Sequence, residues 1–228
     1  MAIPRVIHQR WNTREIPQKY LAWQATVRQL HPEWDYRLWT DDDDLRLVEE
    51  RYPHALDRYR SLPRDIMRYD FARYLYLHAF GGLYLDLDFE MLLPFDLLDY
   101  GAVLMMRRTA AEGDARDEFG NFILAGEPRH LFFEDLIAHI VEHEPTIDCD
   151  HDVHYATGGY LLTEIYYANP GRYSRVLTPT RSLFRVLKED RDAVRRTRGA
   201  YGIHHCDCSW RTDLGPGQVA AETAGADR

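Results

Sequence analysis

The stretch "DFARYLYLHAFGGLYLDLDFEML", residues 70–92, decides the fold: a helix runs into a Gly pair and then directly into an apolar strand. The helix begins after Pro63, continues through "RDIMRYDFARYLYLHAF" and meets a C-terminal stop at Gly81-Gly82. A strand over 83–89 follows. Side chains alternate along a strand, so Tyr84, Asp86 and Asp88 share one face, with Leu83, Leu85, Leu87 and Phe89 on the other. At ~3.3 Å rise per residue the two carboxylates would stand ~6.5–7 Å apart. Taken out of water without partners, such anions cost several kcal/mol each or shift their pKa. A divalent cation would relieve the conflict, and hard ions such as Mg²⁺ and Mn²⁺ prefer these oxygens and bring substrate phosphates with them. On this reading Asp88→Asn removes one of two repelling charges and leaves the metal-free fold as stable as before, or more so. The local pattern equally allows an exposed strand end with solvated aspartates.

Asp-x-Asp by itself is a weak signal, since this chain repeats it at 41/43, 42/44, 148/150, 150/152 and 190/192. The helix before the strand adds two overlapping Asp-x-x-Arg pairs, Asp65/Arg68 and Asp70/Arg73. Five residues of helix turn a side chain through roughly 140°, so the two pairs cannot serve one face.

Working outward, "RVIHQRW" (5–11) reads as a first strand, "QKYLAWQATVRQL" (18–30) as a helix and "DYRLWT" (35–40) as a second strand. Thr40 or Asp41 can N-cap the acidic helix that follows. Later strands fall at 102–106, 121–125, near 183–187 and at 200–205, with helices around 129–143 and after Thr157. Strands alternating with helices imply one α/β domain over 1–212 with a largely parallel central sheet. The small, polar segment 213–228 reads as a flexible tail.

The chain has 228 residues, 45 % of them hydrophobic, enough for a full core. A net charge of −9 without a long basic run argues against nucleic acid as partner. No window is apolar enough for a membrane helix, and no signal peptide is visible. Three cysteines, two of them at Cys206 and Cys208, suit a reducing compartment, so the expected location is cytoplasmic.

Residues 70–88, with the opening "IPRVIHQRW", the segment "YRLWTDDD" and the closing "IHHCDCSW" (203–210), resemble glycosyltransferase family 32. That family includes yeast-type initiating α-1,6-mannosyltransferases, and the clostridial toxin glucosyltransferases share its Asp-x-Asp region. Matching the Gly pair and Asp-x-Asp without gaps selects Asp70 and Arg73 over Asp65 and Arg68. The resemblance implies a GT-A fold and a metal-dependent, retaining transfer of a hexose from a nucleotide sugar to a glycan or other hydroxyl acceptor. A UDP-sugar is the first expectation for the donor and GDP-mannose the second.

The same resemblance implies the roles. Asp86, Asp88 and His204 hold Mn²⁺ or Mg²⁺, with His205 as the register-shifted alternative to His204. Asp70 and Arg73 bind the donor hexose and, with Asp86, form the catalytic set. Ile7, His8, Gln9, Trp11 and Tyr84 hold base and ribose, while Ser209 and Trp210 close over the diphosphate. Thr157, Gly158 and Gly159 lie beside the acceptor. The sequence departs from the family at Cys206 and Cys208, where aromatic and small residues are usual, and at Gly159, where many members carry Pro. Two other classes stay open: a phosphohydrolase using the same carboxylates, and a module holding zinc through His204, Cys206 and Cys208. A Rossmann dinucleotide site is disfavoured, because Gly81-Gly82 precedes a strand and does not open a helix.

Overall fold

The computed structural model describes residues 2–108, 117–179 and 200–207. The expected strand near 183–187, the tail from 213, and Cys208, Ser209 and Trp210 lie outside these residues. In chain order the elements are β1 (Val6–Arg10), α1 (Gln18–Leu30), β2 (Asp35–Trp39), α2 (Asp41–Arg51), α3 (Leu56–Ser61), α4 (Asp65–Phe80), β3 (Gly82–Leu85), β4 (Phe89–Met91), β5 (Ala102–Arg108), β6 (Glu118–Gly126), α5 (Leu131–Glu142), α6 (Asp150–Ala156), α7 (Gly159–Ala168), β7 (Val176–Leu177) and β8 (Gly202–His204). Two short helices, α3 and α6, were not anticipated, being too brief to show a period.

The main sheet has the order β2-β1-β3-β6-β5-β7. β1 runs parallel to β2 and β3, and β5 parallel to β7, while β6 is antiparallel to both its neighbours. The largely parallel α/β sheet is therefore present, with β6 as the reversed strand. No helix among the described residues is long and apolar enough to cross a membrane.

The alternation read from the sequence sorts β3 correctly. Tyr84 packs into the core on the α4, α5 and α7 side, whereas Leu83 and Leu85 pack with Ile7, Val27 and Phe89 on the other. α4 is buried over most of its circumference, from Met67 and Asp70 to Leu77, which explains an apolar content too high for a surface helix. Its end needs both glycines. Gly81 has φ 64° and Gly82 φ 106°, and a Cβ on Gly82 would stand 2.4 Å from Val6 O of β1. α2 starts on Thr40, whose hydroxyl accepts from Asp43 N–H while the Asp43 carboxylate accepts from Thr40 N–H.

One expectation needs correcting. The strand over 83–89 is not continuous: β3 stops at Leu85, the chain turns through 86–88 with Phe89 N–H donating to Asp86 O, and β4 joins a separate two-stranded sheet with β8. The short β4 pairs antiparallel with β8, setting Phe89 opposite His204. That pairing brings β8 to the carboxyl end of β3, the edge at which open α/β sheets bind ligands.

Candidate active site

A cleft of about 780 Å³ opens at this edge. Arg10, Trp11 and Asn12 from the end of β1 line one side, and Asp86 and Asp88 from the turn after β3 form the floor. α4 adds Tyr69, Asp70 and Arg73, β6 adds Asn121, α6 adds Val153 and His154, and the segment after β8 adds Cys206 and Asp207.

Asp86, Asp88 and His204 each offer a ligand atom, all within 4.8 Å of one another, and they form the one such group among the described residues. The spacing is shorter than the ~6.5–7 Å of a straight strand because the turn, and not the pleat, aims the two carboxylates. His204 Nε2 is 3.1 Å from Asp88 Oδ1 and 3.9 Å from Asp86 Oδ2. His205 points elsewhere: it stacks on Trp23 with ring centroids 4.0 Å apart and lies 3.0 Å from Glu90 Oε2. Strand alternation therefore resolves in favour of His204. Two carboxylates and one imidazole suit Mn²⁺ or Mg²⁺.

The carboxylates are not simply repelling charges. Burial pushes Asp86 up, while the Arg73 guanidinium 3.2 Å away and the Tyr84 hydroxyl at 2.7 Å oppose the shift. Burial would also raise Asp88, but His204 and the Asp207 N–H outweigh it and hold Asp88 at about 2. Burial disfavours a charged His204, yet Cys206 and Asp88 raise its pKa well above the usual histidine range.

Asp70 and Arg73 form a buried pair at 3.0 Å. Asp70 also accepts from Asn121 Nδ2 at 2.8 Å and Thr157 Oγ1 at 3.0 Å, and burial raises it to about 6 despite Arg73. Arg73 further donates to Asn121 O at 2.7 Å. Asp65 and Arg68 form a separate pair closer to solvent; Asp65 also lines the cleft but is not part of the buried pair. Arg10 stacks over Tyr69, 3.3 Å from the ring centroid, and is tied to Asp44 at 2.8 Å and to Asp41.

Several expected positions are not in the cleft wall. Ile7 is a core residue. His8 is fully buried between Gly81 O and Trp39 Nε1. Gln9 lies beneath the floor, its amide donating to Asp86 O at 3.2 Å. These three support the site from behind because alternate residues of a central strand point into the two cores. Trp11 and Tyr84 do line the cleft. Thr157 is buried and donates to Asp70, Gly159 packs against Phe119 O, where a Cβ would come to 2.4 Å, and none of 157–159 lines the cleft. Of the zinc alternative, Cys206 Sγ lies 3.3 Å from His204 Nδ1, the nitrogen turned away from the carboxylates, and Cys208 lies outside the described residues. The sequence reading missed Arg10, Tyr69, Asn121 and His154. None belongs to a local pattern, and only the meeting of distant elements reveals them.

Comparison with known proteins bears on the family and the fold. The family described as the glycosyltransferase sugar-binding region containing DXD motif matches residues 17–104. Inositol phosphoceramide mannosyltransferase 3 of Schizosaccharomyces pombe is 35 % identical over 173 residues, 73 % of this chain and 46 % of that protein. The initiation-specific alpha-1,6-mannosyltransferase of Candida albicans is 34 % identical over 100 residues, 41 % of this chain and 26 % of that protein. The chain thus spans less than half the length of these relatives. Among solved structures, the PaToxG glycosyltransferase superposes with a TM-score of 0.55 at 18 % identity, covering 75 % of this chain and 71 % of that one. That likeness concerns the fold, which is of the GT-A type.

Proposed function

Because the chain carries the sugar-binding region of the DXD glycosyltransferases, we propose that it moves a hexose from a nucleotide sugar to a hydroxyl acceptor. Mannose is the hexose put first, and GDP-mannose the donor to try ahead of the UDP-sugars favoured by the sequence, because relatives are named as mannosyltransferases. The observation that carries this reading is the convergence of Asp86, Asp88 and His204 on one point beside the buried Asp70–Arg73 pair.

A divalent ion at that point would supply Lewis-acid stabilisation of the negative charge that develops on the departing diphosphate. The chain's own groups do the rest. Asp70 and Arg73 bind sugar hydroxyls and fix the anomeric carbon. Trp11 and Tyr69 offer ring faces to the nucleotide. Asp70 is committed to Arg73, Thr157 and Asn121, so it binds and orients; it is not placed to attack carbon. The reaction in this reading is a front-face substitution with retention: the carbon–oxygen bond to diphosphate breaks, the acceptor oxygen bonds to the same face, and its proton passes to the leaving diphosphate.

The test is turnover of GDP-mannose, UDP-glucose and UDP-galactose with Mn²⁺ or EDTA, with mannosides as acceptors. Metal-dependent transfer of one sugar with retained configuration supports the reading. Metal-dependent phosphate release indifferent to the sugar would replace it with a phosphohydrolase.

A further inference from the structure

We propose that the aromatic ridge of His151, Tyr155 and Tyr160 is an acceptor subsite that seats a pyranose ring by stacking. The proposal deepens the glycosyltransferase reading and rests on it.

The ridge is built from α6 and the first turn of α7. His151 and Tyr155 stand four residues apart on α6 and therefore share a face. Tyr160 stacks on Tyr155 with centroids 4.6 Å apart and planes at 26°, while His151 meets both rings edge-on at 5.4 Å. Tyr155 remains 53 % exposed, the most exposed large apolar side chain described. Single exposed apolar residues need no explanation. Three contiguous rings from two successive helices, the first of which borders the cleft, do.

Two connections give the ridge a place in the reaction. His154, which lines the donor cleft, packs edge-on against Tyr160 at 5.8 Å. Thr157, two residues after Tyr155, holds Asp70, so the ridge backbone lies within about 8 Å of Asp70's support, at 3.8 Å per residue. On its far side Tyr155 borders a second cavity of about 300 Å³ with Glu144, Thr146 and Asp152, the lower end of small-ligand sites.

The chemistry matches one class of ligand. An aromatic face carries negative quadrupole density, and the C–H face of a pyranose presents its positive edge to such a surface. Carboxylates and a hydroxyl beside the ring then accept or share the sugar's hydroxyl hydrogens. An open-chain polyol has the same hydroxyls but no flat C–H face.

The experiment titrates methyl α-D-mannopyranoside and D-mannitol into protein holding Mg²⁺ and GDP, read by ligand-observed NMR, for wild type, Tyr155→Ala and Tyr155→Phe. GDP binding is measured by calorimetry on the same samples. The pyranoside should bind wild type, lose at least tenfold in Tyr155→Ala and stay within twofold in Tyr155→Phe, with GDP affinity unchanged. Mannitol should bind none of them at the same concentration. Pyranoside binding that survives Tyr155→Ala, or equal binding of mannitol, overturns the ridge assignment while GDP binding keeps the donor site. A wild type that binds no nucleotide diphosphate overturns the transferase reading and the ridge with it.

Discussion

His204 Nε2 lies 3.1 Å from Asp88 Oδ1 although 116 residues of chain separate the two. The Asp207 N–H reaches the other oxygen of the same carboxylate at 2.8 Å. Asp88 is therefore a stabilised anion before any cation arrives, which reverses the stability expectation drawn from the isolated strand.

Asp88→Asn should cost roughly 2 kcal/mol in EDTA, the equivalent of a carboxylate held at about 2 in place of 3.8. Urea denaturation with EDTA measures it, and a variant as stable as wild type would restore the simple repulsion picture. Mn²⁺ with GDP should then raise the melting temperature of wild type by mass action and leave the variant nearly unmoved.

The neighbouring histidines separate ligand from support. His204→Ala should lose the metal-dependent rise in melting temperature. His205→Ala should keep that rise but unfold at lower denaturant, since Trp23 loses its stacked ring and Glu90 loses the imidazole 3.0 Å away. The reverse pattern would show that the register is shifted by one residue.

Asp70→Asn should lower transfer a hundredfold or more and leave nucleotide diphosphate binding intact, because it touches no residue of the metal triad. Arg73→Lys should also weaken metal-dependent binding, since Arg73 lies 3.2 Å from Asp86. Asp65→Asn and Arg68→Lys, on the more exposed pair whose Asp65 lines the cleft outside the metal triad, should change transfer less than twofold. Steady-state kinetics with paired calorimetry checks all four. Damage from the exposed pair would move the sugar site to the other helix face.

His8 gives a pH signature independent of the cleft. Burial, aided by Arg37 and opposed by the Gly81 carbonyl, pulls its pKa from 6.5 to about 4. Its Nδ1 accepts from Trp39 Nε1 at 3.0 Å, so a proton there would set donor against donor. Between pH 6.5 and 4 the unfolded chain binds more protons than the native one, and stability falls as pH falls, by up to ~1.4 kcal/mol per unit. His8→Gln should be less stable than wild type at pH 7, with the gap narrowing at pH 4.5. A gap independent of pH would mean that His8 titrates normally.

The sequence alone determined the features that local periodicity carries. The α4–Gly-Gly–β3 run, the opposite faces of Tyr84 and Leu83, the Thr40 cap and the placing of Asp65 and Asp70 on different faces of one helix all follow from spacings of two, three or five residues. Backbone geometry fixes such spacings wherever the segment lies. The tertiary structure decided what those faces meet. The break of the strand at Asp86 becomes visible only when Phe89 pairs with His204 in a second sheet. The preference of His204 over His205 depends on that register, which is set by burying Phe89 and Ile203. Thr157 and Asn121 find Asp70 across 87 and 51 residues. Partners of a buried charge are selected by the cost of leaving it unsatisfied, and that cost arises only once the elements pack.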